Sequence, residues 1–153
     1  MALIKTRLTT MSLPDKLKVY LATNTSFYLK AHGFHWNVTG PNFPQYHALL
    51  DMIYNDAYGA IDTIAEYIRS LDEFAPASFS RYTELTKIED QTKIPKAELM
   101  IKELLQDNDM IIDMLKDIFK EANLAEENGI ANFIADRQSQ HGKWHWQLKA
   151  TLE

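Results

Sequence analysis

The chain contains no cysteine. No disulfide framework is therefore available to it, and a reducing compartment, the cytosol, is the expected location. It also lacks any apolar run approaching the roughly 20 residues that a membrane helix needs. The opening residues, MALIKTRLTTMSLPDK, show neither the continuous apolar segment nor the small-residue cleavage pattern of a secretion signal. The sequence Asn37-Val38-Thr39 matches a glycosylation acceptor, and without such a signal it reads as a chance match. Positive charge is not in excess either. The net charge is -5, the stretch ahead of Ser12 holds only Lys5 and Arg7, and no basic tail follows the last helical pattern. Affinity for DNA grows with the number of phosphates neutralised, so such a surface implies weak binding at physiological salt. Internal repeats and low-complexity segments are absent.

What is present is the composition of a soluble globular protein, 46% hydrophobic and 24% charged over 153 residues. That length is enough for one domain with a real core. Residues 1–11 read as an N-terminal arm and 12–153 as a single all-α domain. Ser12-Leu13-Pro14-Asp15 places a Ser N-cap before Pro and an acid in a first turn, which predicts a helix to about Val38 on Leu17, Tyr20, Leu21, Tyr28, Ala31 and Phe34. Thr39-Gly40-Pro41 stops it. Asn42 paired with Gln45, and Pro44 in the first turn, start a long second helix to about Leu71. The next stretch, DEFAPASFSRYTELTKIEDQTK, is long for a connection, and a short helix from Ser78 to Leu85 would account for it. Pro95 opens a third long helix ending near Asn123, with Leu104, Ile111, Leu115 and Ile118 on its apolar face; a fourth runs from about Glu126 on Ile130, Ile134, Trp144 and Leu148. Two hairpins joined by a long middle connection describe a four-helix bundle with one crossover.

The second helix carries the chemistry. The stretch from His35 to Glu66 holds two imidazoles, His35 and His47, and three carboxylates, Asp51, Asp62 and Glu66. His47 to Asp51 and Asp62 to Glu66 are i,i+4 steps, so each pair lies on one helix face, one turn apart. Asp51 and Asp62 return to nearly the same azimuth, yet at about 1.5 Å rise per residue the two pairs stand roughly 16 Å apart along the axis. One ion cannot touch both. They are either separate half-sites or, in an antiparallel two-fold pair of helices, complementary halves of a shared site. On the helical wheel the stripe Leu50, Ile53, Ala57, Ile61, Ile64, Ile68 and Leu71 faces the core, and His47, Asp51, Tyr58, Asp62 and Glu66 point well away from it, while His35 sits in the last turn of the first helix. No Glu is followed three residues later by His, so the inward Glu-x-x-His pairs of the usual di-iron bundle are missing. Hard carboxylate oxygens with flanking imidazole suit iron(II), with zinc, manganese or cobalt as substitutes.

These residues carry a resemblance. The segments AHGFHWNVTGPNF, YHALLD and DTIAEYIRSL between Tyr28 and Leu71 resemble the DNA-protecting proteins of starved cells, the Dps family or mini-ferritins, and NGIANFIADRQSQHGKWHWQL resembles the last helix of that family more loosely. The resemblance implies a ferritin-like bundle and a ferroxidase that oxidises iron(II), preferably with hydrogen peroxide rather than dioxygen. It implies sites shared by two-fold-related subunits and a hollow shell of twelve subunits that stores iron(III) as a mineral. It puts His35, His47 and Asp51 of one subunit opposite Asp62 and Glu66 of the other. DNA compaction is the family's second activity and the alternative function, and a structural bundle without metal is a third reading.

Several neighbours are read alongside. Trp36 is either a packing residue or, by the resemblance, an acceptor of oxidising equivalents. Tyr54 and Tyr58 lie near the donor stripe, chiefly as interface packing. His32, one turn before His35, is read as structural, with a supporting or exchangeable ligand role as the alternative. His141 and His145 form another i,i+4 pair without a carboxylate pattern and read as surface or packing residues. Glu126, Glu127 and Asp136 would line an acidic entry pore by analogy with the family, or, for the glutamates, simply suit a helix start.

Overall fold

The computed structural model describes residues 11–153, and these form five helices with no strand among them. They are α1 (Leu13–Asn37), α2 (Phe43–Ser70), α3 (Phe79–Leu85), α4 (Ala97–Leu124) and α5 (Asn128–Leu152). The expected arm at residues 1–11 falls, except for Met11, outside the described residues.

Local sequence accounts for most of the boundaries. The Ser12 Oγ accepts the backbone N–H of Asp15 at 3.3 Å, one of the donors a helix start leaves orphaned. Ser78 does the same for Arg81 at 3.2 Å and opens α3. Asn42 differs from expectation. Its backbone (φ -103°, ψ 23°) is not extended, so its side chain makes no cap hydrogen bond and no capping box with Gln45 forms. The turn before it depends on Gly40, whose φ of 124° lies in the region that favours glycine.

Helices α1 and α2 pack as one hairpin and α4 and α5 as another; α1 also packs on α4, and α3 rests on α1. The 26-residue connection from Leu71 to Lys96, carrying α3, joins the hairpins, which is the ferritin-like topology. Leu17, Tyr20, Leu21 and Phe27 of α1 fill the centre with Leu50, Ile53, Ile64 and Ile68 of α2. From the other hairpin come Ile101, Leu104, Ile111, Leu115, Ile134 and Leu148. Ile61 and Leu71, expected on the core stripe, are only half-buried at its edge, and Leu49 and Ala60 are buried there instead. No helix among the described residues is long and apolar enough to cross a membrane.

Candidate metal centre

Loop length decides how the two imidazoles meet. Five residues separate α1 from α2, so His35 in the last turn of α1 lies beside His47 near the start of α2. Each ring bonds to the backbone of the other residue: Nδ1 of His35 donates to the His47 carbonyl at 2.9 Å, and Nδ1 of His47 donates to the His35 carbonyl at 2.8 Å. The carbonyls can only accept, which fixes the proton on Nδ1 and leaves Nε2 of each ring as the nitrogen available to a metal. The rings stack at 3.7 Å between centroids, with Phe43 on His47 and the edge of Tyr54 against His35. This is the arrangement of ligating histidines whose second nitrogen is held by the protein.

Asp51 stands one turn beyond His47 and is half-buried. Farther along α2, Asp62 and Glu66 are both exposed. They hydrogen-bond to each other, and this bond and the repulsion of the Asp62 charge raise the Glu66 carboxyl above its ordinary range. A cation placed between two such neighbouring carboxylates would relieve their repulsion. Within one chain the two halves do not meet. Among the described residues, no group of three or more His, Asp or Glu side chains is gathered closely enough to hold an ion.

An aromatic cluster adjoins the histidine half. His32 stacks on Tyr54 at 3.8 Å and 12° and lies 4.1 Å from Trp36, and its Nδ1 is 3.0 Å from the Tyr28 hydroxyl. Burial and the neighbouring His35 lower its pKa, so His32 is neutral at neutral pH. Trp36 is 60% exposed and Tyr58 61%, which removes both from the core of this chain. Tyr58 lies 5.2 Å from Tyr28.

The chain matches the ferritin-like domain family over residues 15–153. It is 32% identical to a DNA protection during starvation protein of Brevibacillus brevis, over 82% of this chain and 85% of that one. The crystal structure of a Dps protein from Bacillus brevis superimposes with a TM-score of 0.88 at 30% identity, covering 92% of this chain and 95% of that one. The chain belongs to the Dps family of ferritin-like proteins. A Vibrio cholerae Dps protein, 28% identical with a TM-score of 0.88 over 92% of this chain and 89% of its own, is described as one of a broad superfamily of ferritin-like diiron-carboxylate proteins. An iron-related, mini-ferritin role follows for this Dps-family chain at that level.

Sequence reasoning missed a polar network in the bundle centre. Asp56 of α2 accepts both ends of the Arg137 guanidinium at 2.8 Å and the Trp144 indole N–H at 3.0 Å. Burial opposes charge on both partners, but their bidentate bond outweighs it: the Asp56 carboxyl is held below its ordinary range and the Arg137 guanidinium stays charged. His141 is fully buried, its Nδ1 donating to the Asn108 Oδ1 at 2.7 Å and its Nε2 facing Arg137 at 3.2 Å. Burial and the Arg137 charge push its pKa down to about 3. His145 is half-exposed, and its Nδ1 lies 2.6 Å from the Asp109 carboxylate. The pair thus divides as a packing residue, His141, and a residue at the surface, His145, and only His145 meets a carboxylate, Asp109 of α4. No spacing on one helix reveals a partner on another.

The acids assigned to a pore remain spread out. Glu126 occupies the α4–α5 turn at a φ of 58°, Glu127 is the first residue before α5 and makes no cap bond, and Asp136 is exposed two turns farther on.

Proposed function

We propose that this Dps-family chain is a ferroxidase. Its substrate is iron(II), its preferred oxidant hydrogen peroxide over dioxygen, and its product iron(III) stored inside a closed shell of twelve chains in the cytosol. Each di-iron site takes His35, His47 and Asp51 from one chain and Asp62 and Glu66 from its two-fold mate. The observation that supports this reading is the separation of the donors into two half-sites, one with the imidazoles of His35 and His47 held by backbone carbonyls and one with the exposed pair Asp62 and Glu66 farther along α2. An isologous dimer with antiparallel α2 helices brings the halves together twice.

The carboxylates supply hard oxygen ligands that favour iron(III) over iron(II), which lowers the cost of oxidation. The His35–His47 clamp holds both Nε2 atoms in place before metal arrives, so little ordering entropy is lost on binding. Zinc or manganese would fit the same donors without supporting the peroxide reaction equally. Anaerobic titration with iron(II), followed by peroxide, tests the proposal. Rapid loss of iron(II), with two ions consumed per peroxide, is expected. Binding without oxidation would contradict it.

The relatives' name points to DNA protection, and for this chain protection by removal of iron and peroxide fits better than protection by binding. With a net charge of -5, few phosphates can be neutralised. No retardation of DNA in a gel is expected at about 0.15 M salt, where the Debye length is about 8 Å.

A further inference from the structure

We infer that the centre of the bundle is a cation site whose resident cation is the Arg137 guanidinium, and that Arg137 thereby keeps metal ions out of the core. The site lies inside one chain, apart from the two half-sites described above. What it means for iron rests on the ferroxidase reading; the site itself does not.

All four long helices contribute to it. Asp56 of α2 accepts both terminal nitrogens of the guanidinium at 2.8 Å, and the Trp144 indole N–H of α5 bonds to one of its oxygens at 3.0 Å. Nη2 of Arg137 also donates to His141 Nε2 at 3.2 Å. That nitrogen carries the lone pair because Asn108 of α4 holds the rest of the residue. Its Nδ2 donates to the His141 carbonyl at 2.9 Å, so its Oδ1 accepts from the ring Nδ1 at 2.7 Å. A ring held through Nδ1, with Nε2 left as the acceptor, is also the arrangement of His35 and His47. The third imidazole of this kind closes on a side chain of its own subunit. From α1 come Tyr20 and Asn24, both fully buried and one turn apart. The Tyr20 hydroxyl lies beside the guanidinium, and Asn24 Nδ2 holds the carbonyl of Ala57, next to Asp56, at 2.9 Å. Among the described residues, the Tyr20 hydroxyl, the Asn24 Oδ1 and the Arg137 Nε find no well-formed hydrogen bond.

Buried polar groups are nearly always satisfied, so three orphans in one network mark a donor set that the guanidinium fits only in part. What Arg137 does supply is charge, without which Asp56 would be a buried anion with no partner. A carboxylate, a held imidazole and neutral oxygens are the mixed donors that suit zinc, cobalt or iron(II). The guanidinium is tethered to the site, and its high effective concentration there outcompetes a free ion. The core donors are therefore closed to metal, and ferrous iron is left to His35, His47, Asp51, Asp62 and Glu66. Arg137 acts in this way as a specificity residue, deciding where in the bundle a metal binds.

The test is anomalous diffraction at the cobalt edge from crystals of the assembled protein soaked in cobalt(II), for the unaltered chain and for Arg137→Ala. A peak between the Asp56 carboxylate and His141 Nε2 is expected in every chain of R137A, and none there in the unaltered protein. Adding Asp56→Asn to Arg137→Ala should remove the peak. Anaerobic dialysis against iron(II) should likewise show an additional bound ion per chain in R137A. Because R137A leaves Asp56 as a buried charge, it is also assembled with cobalt(II) present, and Arg137→His, which offers an imidazole in place of the guanidinium, is carried in parallel. A cobalt peak in the core of the unaltered protein would overturn the inference, as would no core peak in either variant. Failure of both variants to assemble with cobalt(II) present would also overturn it, since a filled site restores the missing cation. A core peak in R137A without metal at His35 and His47 would support the inference and count against the ferroxidase reading instead.

Discussion

His35 and His47 hold each other in place: each Nδ1 bonds to the other residue's backbone carbonyl, at 2.9 and 2.8 Å, with the rings stacked at 3.7 Å. The contact fastens the end of α1 to the start of α2 and at the same time leaves the Nε2 atom of each ring available to a metal. Structure and chemistry are coupled here, because the bonds that close the hairpin are those that select the tautomer.

A change at either histidine should therefore be felt twice. Replacing His47 by Ala removes one imidazole and one arm of the clamp, so His35 loses its orientation as well. Iron(II) affinity should fall on the order of 10–100-fold or more, the range seen when supporting partners of metal ligands are removed. Anaerobic calorimetry with iron(II) reads this directly. An unchanged affinity would mean that His47 does not touch the metal.

The Asp56–Arg137 pair invites a stability test. Changing Arg137 to Met leaves a mostly buried Asp56 without its partner, and breaking such a pair costs on the order of 3–5 kcal/mol. The double replacement D56L/R137M removes both charges and should recover most of that loss. Denaturant unfolding of the single and double variants measures both effects. A double variant no better than R137M would show that the pair is not the source of the cost.

Much of this was legible in the sequence, and the limits are physical. The helices, the crossover and the outward donor stripe follow from periodicity and from stop signals such as Thr39-Gly40-Pro41, which are local properties of the chain. The buried network was also partly readable. Arg137 and His141 continue the apolar series Ile130, Ile134, Trp144 and Leu148 at steps of three and four, and Asp56 sits three residues after Ile53. A charge on an apolar stripe signals a buried partner. Which residue is the partner was not legible, since Asp56 and Arg137 stand 81 positions apart and only packing joins them. The histidine clamp was hidden for a related reason, because it depends on the path of a five-residue turn around Gly40. The cap expected at Asn42 failed because the same turn sets its backbone away from extended geometry.

Acid should loosen the bundle through His141. Its folded pKa, about 3, lies below its ordinary 6.5. The unfolded chain thus binds a proton that the folded chain excludes, and the stabilising difference is complete above about pH 6.5. It is lost as pH falls toward 3, at about 1.4 kcal/mol per pH unit in that window. Asp56, with a depressed pKa, adds loss of the same sign at still lower pH. His141→Gln, which keeps a hydrogen-bonding side chain without a titrating group, should flatten the slope between pH 6.5 and 4 in urea unfolding. A slope equal to that of the unaltered protein would place the acid sensitivity elsewhere.

The central claim is that each site is built from two chains, and complementation tests it most directly. One variant loses His47 and Asp51 to Ala; the other loses Asp62 and Glu66. In either pure oligomer every site lacks half of its donors, so both should be inactive. In a mixed dimer one site inherits both defects, while the other draws His47 and Asp51 from one chain and Asp62 and Glu66 from its mate. Random pairing makes about half of the dimers mixed, each with one of two sites whole, so roughly a quarter of the unaltered activity should return under isologous symmetry. The measurement is stopped-flow oxidation of iron(II) by peroxide in oligomers whose mixed composition has been verified by native mass spectrometry. Recovery near a quarter is the result expected here. No recovery in a verified mixed oligomer would contradict the account, because each site would then belong to a single chain.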